Sequence, residues 1–225
     1  MQGKLFVIEG TDGSGKQTQL KRLKEHLEQE GIDYREVSFP NYDSPSSDLV
    51  KMYLAGEFGT DPTSVSPYIA STFYAADRYA TFKKGYLDYY NDGGLIIADR
   101  YTTANMVHQA GKIHDEEERN KFLDWLFDFE FNLYGLPKPT KTFFLNMPPE
   151  ASQRLMKDRA NKITHEAKKD IHESNPEYLK ACYNSACSLI KKYDWYEVKC
   201  VDEGDNIRTI DDIHNEIYKV VKQYL

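Results

Sequence analysis

The sequence contains little cysteine and no long apolar run. Its three cysteines, Cys182, Cys187 and Cys200, show no C-x-x-C spacing, which argues against a zinc site or a disulfide framework. We expect them to be small buried apolar residues. Apolar runs stay well below the ~18 residues of a membrane span, and the first ten residues do not resemble a signal peptide. The sequence therefore predicts a reduced, cytoplasmic protein with no membrane partner.

Arginine is also scarce, because only eight of the 29 basic residues are arginine. Acidic residues number 36, which gives a net charge of −7, so a surface built to bind nucleic acid is not expected. The content of hydrophobic residues, 40%, is typical of a folded domain rather than of a disordered chain. Because arginine binds phosphates and carboxylates as a planar fork, the positions of these eight residues bear on function.

Short stretches rich in β-branched and aromatic residues alternate with helical stretches along the chain. This pattern is typical of an α/β fold with a parallel sheet. The predicted strands cover residues 5–9, 34–39, 95–98, 142–146 and 196–201. The predicted helices cover residues 16–30, 46–56, 64–90, 102–110, 116–134, 148–160, 175–193 and 206–224. The first and third strands are almost entirely apolar, which predicts central positions covered on both faces. We expect one domain over residues 1–225.

Two segments depart from ordinary amphipathic patterning. Residues 160–172 are polar and rich in Lys and His, which indicates either a mobile surface segment or a solvated helix end. Residues 120–134 carry two apolar stripes, so this helix should be buried on two sides. One side can meet the sheet, and the other can meet a second subunit or pack internally. The stripes consist of Phe122, Trp125, Leu126, Phe129 and Leu133, and of Leu123, Phe127 and Phe131.

The first predicted strand is followed by a glycine-rich loop and then by a helix. The loop has the pattern G-x-x-x-x-G-K, whose backbone N–H groups surround phosphate oxygens and whose lysine reaches the β- and γ-phosphates. It lacks the third glycine of a dinucleotide-binding fingerprint, so a nicotinamide enzyme is not supported. The predicted ATP-binding residues are Gly10, Thr11, Asp12, Gly13, Ser14, Gly15, Lys16, Gln17 and Thr18.

Gln17 stands where such loops normally carry the Ser or Thr that holds Mg²⁺. Thr18 comes next but should point elsewhere on the helix. Mg²⁺ keeps several waters and usually takes one or two protein carboxylates. We therefore expect the metal to rely on water, on nucleotide phosphates and on Asp12 or Asp99.

Several further polar and aromatic residues fall where the carboxyl ends of the strands should meet. Ligands bind outside this edge of open parallel sheets. Asp99 and Arg100 end the third strand, and the sequence Phe39-Pro-Asn-Tyr ends the second. Tyr74 and Arg78 are four residues apart and share one face of a predicted helix. Such a pair suits stacking on a nucleobase and hydrogen bonding to its edge, although ordinary helix packing would also account for it.

Together these motifs resemble the thymidylate kinases over nearly the whole chain. The matching segments are IEGTDGSGK at the start, FPNY, FYAADR, DRYTTAN, GLPKP at 135–139, a basic helix, and DIHE at 170–173. The loop alone would indicate only nucleotide binding, whereas the order and spacing of the other motifs are more specific. The resemblance implies a P-loop NTPase-type three-layer αβα fold with a five-stranded parallel sheet and a short helical lid at about 154–173.

The resemblance also implies roles for individual residues around the acceptor nucleotide dTMP. Asp12 is similar to an acidic residue that faces the acceptor and helps to place Mg²⁺, and Arg100 resembles the arginine that clamps the acceptor phosphate. Arg78 and Asn105 correspond to base-contacting residues, and Tyr74 to the aromatic residue that stacks on the base. The remaining implied substrate contacts are Phe39 and Pro40, often joined by a cis peptide bond, Tyr42 near the phosphate, His108 near the sugar, and Asp170 and His172 in the lid.

The resemblance assigns the remaining chemistry to the lid. Gly13 stands where some members carry a catalytic arginine, and members with glycine there take that arginine from the lid, which points to Arg154 and Arg159. Glu173 is a third candidate metal ligand besides Asp12 and Asp99. The expected catalytic set is therefore Lys16, Arg100, Asp12, Arg154 and Arg159.

Some positions depart from the family pattern. Ala104 replaces a usual Ser, Asn41 replaces a common Arg, and His108 and His172 stand where Tyr or Phe is common. The changes at Ala104, His108 and His172 leave the phosphate chemistry intact and bear on recognition of the sugar, whereas Asn41 removes one possible phosphate contact.

The resemblance implies an ATP-dependent dTMP kinase of dTTP biosynthesis that uses Mg²⁺ and forms a homodimer. Two alternatives stay open at this point. One is another nucleoside monophosphate kinase or a deoxynucleoside kinase on the same scaffold. The other is a non-catalytic nucleotide-binding regulator.

Overall fold

A parallel sheet of five strands forms the middle of the molecule. The computed structural model describes residues 2–160 and 176–225, and the side chains of residues 2–155 and 177–225. The strands are β1 (Lys4–Glu9), β2 (Arg35–Ser38), β3 (Leu95–Asp99), β4 (Lys141–Asn146) and β5 (Tyr196–Lys199). They lie in the order β2-β3-β1-β4-β5, and every neighbouring pair is parallel. The predicted α/β class and the interior positions of the first and third strands are confirmed.

Helices cover both faces of this sheet, which gives three layers. They are α1 (Lys16–Gln29), α2 (Asp48–Leu54), α3 (Pro67–Gly85), α4 (Leu87–Asn91), α5 (Thr102–His108), α6 (Glu116–Phe127), α7 (Pro149–Ala160), α8 (Pro176–Lys192) and α9 (Ile210–Val221). One core packs α3, α5, α6 and α8 against the sheet. A second core packs α1, α7 and α9 against the other face. Both cores are built from the alternate side chains of the same strands, as a sheet covered on two faces requires.

Two predicted helices differ in extent from the observed ones. The helix predicted over 64–90 is interrupted at Tyr86, where α3 ends and α4 begins after Gly85, a residue that disfavours helix. The helix predicted over 206–224 begins only at Ile210. Thr209 caps it by accepting a hydrogen bond from the N–H of Asp212, and a bridge between Val201 and Ile207 holds the chain before it in an extended form.

The helix predicted over 116–134 changes its pitch near its end. After α6 the chain forms a π-helical turn over Asp128–Leu133. A continuous α-helix would keep Leu133 on the same stripe as Phe129, but the wider turn leaves the Leu133 side chain 72% exposed. The same turn buries Glu130 and Phe131. Leu133 is therefore not buried within the chain, whereas Phe122 and Leu126 of the same stripe are.

Cys182 and Cys200 are buried and Cys187 is half-buried, and all three are free thiols. The prediction for residues 160–172 falls almost entirely outside the described residues. Among the helices that the structure describes, none is long and apolar enough to cross a membrane.

Candidate active site

The glycine-rich loop connects the buried strand β1 directly to α1. Gly13 and Gly15 have φ values of 76° and 91°, a left-handed conformation that favours glycine. A Cβ atom on Gly10 would lie 2.6 Å from the hydroxyl oxygen of Ser14. Gly15 is the N-cap of α1 and provides no side-chain cap, so the first turn of this helix offers its backbone N–H groups. This geometry suits an anion such as a nucleotide phosphate.

The ammonium group of Lys16 lies against the loop itself. Its Nζ donates hydrogen bonds to the carbonyl oxygens of Gly10 and Thr11, at 2.6 Å and 3.1 Å, and lies 3.9 Å from Oδ1 of Asp12. Burial, followed by the nearby positive charge of Arg100, lowers the pKa of Lys16 to about 8. A phosphate group beside Lys16 would favour its charged form.

Arg100 connects the end of β3 to the loop. Its Nη2 donates to Oδ1 of Asp12 at 2.7 Å, and its Nη1 lies 2.7 Å from Nε2 of His108. Because an arginine can only donate, His108 accepts through Nε2. Arg100 has a φ of 62°, which is uncommon for a residue other than glycine. The strained backbone and two hydrogen-bonding partners together hold the guanidinium beside the loop.

Asp99 lies next to the first turn of α1. Its Oδ2 accepts a hydrogen bond from Nε2 of Gln17 at 2.5 Å. Its Oδ1 is buried, and no described residue donates a hydrogen bond to it. A buried carboxylate oxygen without a donor suits a cation or a cation-bound water. The described residues contain no cluster of three or more His, Cys, Asp or Glu side chains that could hold a metal ion.

A pocket beside the loop brings together the predicted substrate-binding residues whose side chains are described. They are Asp12, Phe39, Pro40, Tyr42, Tyr74, Arg78, Arg100, Asn105 and His108. Leu54, Ala104 and Gln109 complete its lining. The Phe39–Pro40 peptide bond is cis, as the resemblance implied. The same lining therefore combines the Arg100 cluster with the planar side chains of Arg78 and Asn105.

Arg78, which lines this pocket, forms a buried ion pair that the sequence did not suggest. Arg78 is 2% exposed and donates to both carboxylate oxygens of Glu130, through Nε at 2.6 Å and Nη2 at 3.0 Å. The guanidinium also lies 5.5 Å from the ring centroids of Phe39 and Tyr101. Burial alone would lower the pKa of Arg78, but the Glu130 carboxylate more than offsets this and raises it. Arg78 therefore remains a charged donor in the pocket lining.

Gln109 and Ser152 are two further residues at the site that were not predicted from the sequence. The Gln109 side chain is 1% exposed, and neither of its amide atoms has a hydrogen-bond partner among the described residues. It follows Asn105 by four residues, a spacing that could have identified it as a neighbour on the same helical face. Ser152, at the start of α7, donates a hydrogen bond to the carbonyl oxygen of Asp12 at 2.6 Å. No sequence motif marks that contact.

The predicted lid residues lie apart from this cluster or outside the described side chains. Arg154 is exposed, and its Nη2 donates to the carbonyl oxygen of Asp205 at 2.8 Å rather than to the loop. The side chains of Arg159, Asp170, His172 and Glu173 lie outside the described residues.

Comparisons with known proteins agree on one family. A family model described as thymidylate kinase matches residues 8–199. A probable thymidylate kinase of Pyrococcus horikoshii is 30% identical over 230 residues, which cover 100% of this chain and 98% of that protein. A thymidylate kinase of Plasmodium falciparum is 28% identical over 98% of this chain and 90% of its own length. A solved structure of thymidylate kinase from Candida albicans, 23% identical, superposes with a TM-score of 0.70 over 99% of this chain and 92% of that one, and shares its fold.

Proposed function

The chain belongs to the thymidylate kinase family, which catalyses transfer of the γ-phosphoryl group of ATP to dTMP, and we propose that the loop and the pocket beside it carry out this reaction. The products are dTDP and ADP. The observation that supports the assignment of roles is that Arg100 donates to Asp12 of the loop and lines the same pocket as Arg78 and Asn105. A nucleotide in that pocket would present its phosphate to Arg100 and the loop and its base to Arg78 and Asn105.

The loop binds the triphosphate of ATP. The backbone N–H groups of residues 10–18 surround the phosphate oxygens, and Lys16 moves from the loop carbonyls to the β- and γ-phosphates. Kinases of this family use a divalent cation with ATP, and we assign Mg²⁺ to the side of the loop where Asp99 Oδ1 and Asp12 lie. When bound, this ion neutralises charge on the phosphate oxygens. Gln17 does not bind the ion itself but holds the Asp99 carboxylate through a hydrogen bond. Glu173 remains a further candidate ligand of the ion.

Arg100 holds the phosphate of dTMP in line with the γ-phosphoryl group. The nucleophile is an anionic phosphate oxygen, so the reaction needs positioning and charge stabilisation rather than a strong general base. One P–O bond forms to the acceptor oxygen while the bond between the γ-phosphorus and the bridging oxygen of ADP breaks. Arg154 and Arg159 approach the transferring group from the lid, which requires Arg154 to leave the Asp205 carbonyl. We assign Asp170 and His172 to substrate contacts from the same lid.

Five residues of the pocket lining recognise the thymine base. Arg78 donates to the carbonyl oxygen O4, and Asn105 pairs with the N3–H group. Tyr74 stacks on the ring, and Phe39 and cis Pro40 contact its methyl group. The buried amide of Gln109 supplies a further partner for the base or the sugar.

Discrimination against dUMP should be limited, because one methyl group in an apolar pocket is worth roughly 10–200-fold. Cytosine presents a donor where thymine presents O4, and an acceptor where thymine presents N3–H. Rejection of dCMP should therefore be stronger. We assign Tyr42 and His108, which line the same pocket, to the phosphate and sugar of the acceptor.

We further propose a homodimer and retain the cytoplasmic location as a prediction. Ring contacts connect α3 to α6 and its π-helical turn in a continuous aromatic surface, which consists of Tyr68, Tyr79, Trp125, Phe129 and Tyr134. Ile69 and Leu133, 53% and 72% exposed, also belong to these elements. Exposed apolar side chains gathered on two adjacent elements favour a protein partner, and a second copy of the chain is the simplest one.

A coupled ADP-release assay tests the reaction and its acceptor. Purified protein receives ATP, MgCl₂ and one of dTMP, dUMP, UMP, dCMP or thymidine. We expect the highest kcat/KM with dTMP and very little activity with thymidine, which lacks the phosphate that Arg100 would hold. A preference for another acceptor would indicate a different nucleoside monophosphate kinase or a deoxynucleoside kinase. Tight nucleotide binding without turnover on any acceptor would indicate a regulator.

A further inference from the structure

Glu130 is a carboxylate with no exposed surface, and it lies in the π-helical turn that follows α6. Its Oε2 accepts from Nε of Arg78 and from the hydroxyl of Thr102, at 2.6 Å and 2.7 Å. Its Oε1 accepts from Nη2 of Arg78 and Nδ2 of Asn105, at 3.0 Å and 3.2 Å. Four hydrogen bonds therefore fill the acceptor capacity of this carboxylate.

These contacts fix which face of Asn105 turns toward the pocket. The two groups near its Nδ2 are Oε1 of Glu130 and, at 3.4 Å, the carbonyl oxygen of Ser71. Both groups can only accept, so the NH₂ side of the amide must face them. The carbonyl oxygen Oδ1 then faces away from Glu130, and none of the described residues donates a hydrogen bond to it.

The same carboxylate fixes the orientation of Arg78. Two of its three guanidinium nitrogens are engaged by Glu130, whereas Nη1 makes no hydrogen bond within the described part of the chain. Arg78 and Asn105 both line the pocket. The wall therefore presents a donor, Nη1, beside an acceptor, Oδ1. This order complements O4 and N3–H of thymine or uracil and opposes the amino group and N3 of cytosine.

We propose that Glu130 is a positioning residue that makes this enzyme selective for thymine over cytosine by imposing the donor and acceptor order of Arg78 and Asn105. It acts through these two side chains and does not touch the nucleotide. The inference rests on the proposed function, since it requires the base to lie against them. Replacing a buried ion pair with apolar groups is often neutral or stabilising, so a role in recognition explains why a charged pair is present here.

The test compares kcat/KM for dTMP and dCMP in wild type and in Glu130→Gln. Glutamine keeps the shape of the side chain but adds a donor, so the Asn105 amide can turn over and present Nδ2 to the base. We expect the ratio of the two kcat/KM values to fall about tenfold, which corresponds to roughly one hydrogen bond. The change should appear as a higher KM for dTMP and a measurable rate with dCMP. An unchanged ratio in a folded variant would overturn the proposal.

Thr102→Val is the matched control, because Thr102 contacts the same carboxylate but does not line the pocket. We expect it to lower the melting temperature without changing the dTMP to dCMP ratio. If both variants lower the melting temperature and neither changes the ratio, Glu130 is only structural. In an Asn105→Ala background, addition of Glu130→Gln should change the ratio much less than it does alone. An equal effect in that background would contradict action through Asn105.

A second variant, Glu130→Asp, and the wild-type acceptor panel separate the remaining outcomes. If Glu130→Gln does not fold, Glu130→Asp retains the charge but shortens the reach to Asn105, and the same fall in the ratio is expected. An unchanged ratio in a folded Glu130→Asp protein would then overturn the proposal. The wild-type acceptor panel separates this inference from the function itself. If wild type does not prefer dTMP, the proposed function fails, whereas a wild-type preference that survives Glu130→Gln rejects only the role of Glu130.

Discussion

Gln17 donates a hydrogen bond from Nε2 to Oδ2 of Asp99, and this contact holds the carboxylate at the end of β3 against the first turn of α1. The other oxygen, Oδ1, is left buried without a donor. Gln17 occupies the position from which phosphate loops normally supply a hydroxyl ligand to Mg²⁺. The glutamine thus orients a carboxylate toward the proposed cation instead of binding the cation itself.

Gln17→Ala should raise the Mg²⁺ concentration needed for half-maximal activity by about tenfold, because outer-shell partners of metal ligands typically contribute 10–100-fold. The measurement is a magnesium titration of ADP formation at saturating ATP and dTMP. Gln19→Ala is the control, since Gln19 lies on the same helix but donates to the carbonyl oxygen of Ile210. Equal magnesium dependence in wild type and Gln17→Ala would show that Asp99 needs no support from Gln17.

Arg100→Lys should lower kcat/KM for dTMP by ~10³-fold, because lysine keeps the charge but cannot contact Asp12, His108 and a phosphate with one planar fork. Steady-state kinetics with dTMP provide the measurement. Arg35→Lys, an exposed arginine on β2, is the matched substitution and should leave the kinetics unchanged. Near-normal turnover by Arg100→Lys would remove Arg100 from the phosphate clamp.

Gln109→Leu should affect stability and binding in opposite directions. The Gln109 amide is buried and unpartnered within the described chain, so replacing it with an apolar side chain should maintain or raise the melting temperature of the free protein. If the amide pairs with dTMP, the KM for dTMP should rise about tenfold or more. Thermal unfolding and kinetics on the same preparation test both statements. A lower melting temperature with an unchanged KM would assign Gln109 a packing role only.

Two histidines connect α1 to α9 and should make stability depend on pH. Nδ1 of His26 lies 2.9 Å from Nε2 of His214, and Arg22, Glu25 and Asp211 surround the pair. Burial, followed by the charge of His26, lowers the pKa of His214 below its usual value near 6.5. The unfolded chain then takes up its proton at a higher pH than the folded chain does. Stability should therefore be full above about pH 6.5 and should fall as the pH drops through the folded pKa.

His214→Gln should reduce this dependence. The measurement is the melting temperature at pH 7.5 and at pH 5.5 in wild type and variant. His114→Gln, at an exposed histidine, should retain the wild-type dependence. If the His214→Gln protein loses as much stability on acidification as wild type does, other groups account for the effect.

Site residues whose positions follow from local sequence patterns could be predicted from the sequence. The phosphate loop follows from its own spacing and from the strand before it. Residues at the ends of β2 and β3 could be assigned to one edge because parallel strands share their direction. Arg78 is indicated by its helical spacing to Tyr74 and by the family resemblance, and Asn105 by the resemblance alone; the structure brings both to the pocket lining.

Glu130 could not be predicted, and the reason is geometric. The periodicity of residues 116–134 assumes 3.6 residues per turn, and the π-helical turn changes that phase at Asp128. The change turns Leu133 outward, whereas Glu130 lies four residues after the buried Leu126 and is itself buried although it is charged. The partner of Arg78 depends in addition on a contact between residues 52 positions apart, which no local pattern encodes.

Leu133→Glu should convert the proposed homodimer to a monomer. The substituted carboxylate would be buried in the interface next to the aromatic surface, and an unpaired charge there is strongly unfavourable. Sedimentation equilibrium should give about twice the 26.1 kDa chain mass for wild type and about one chain mass for the variant. Ile210→Glu is the control, because Ile210 is equally apolar, 51% exposed and located on α9 in the other helical layer. A wild-type monomer would reject the homodimer, and a dimer that survives Leu133→Glu would assign the interface to a different surface.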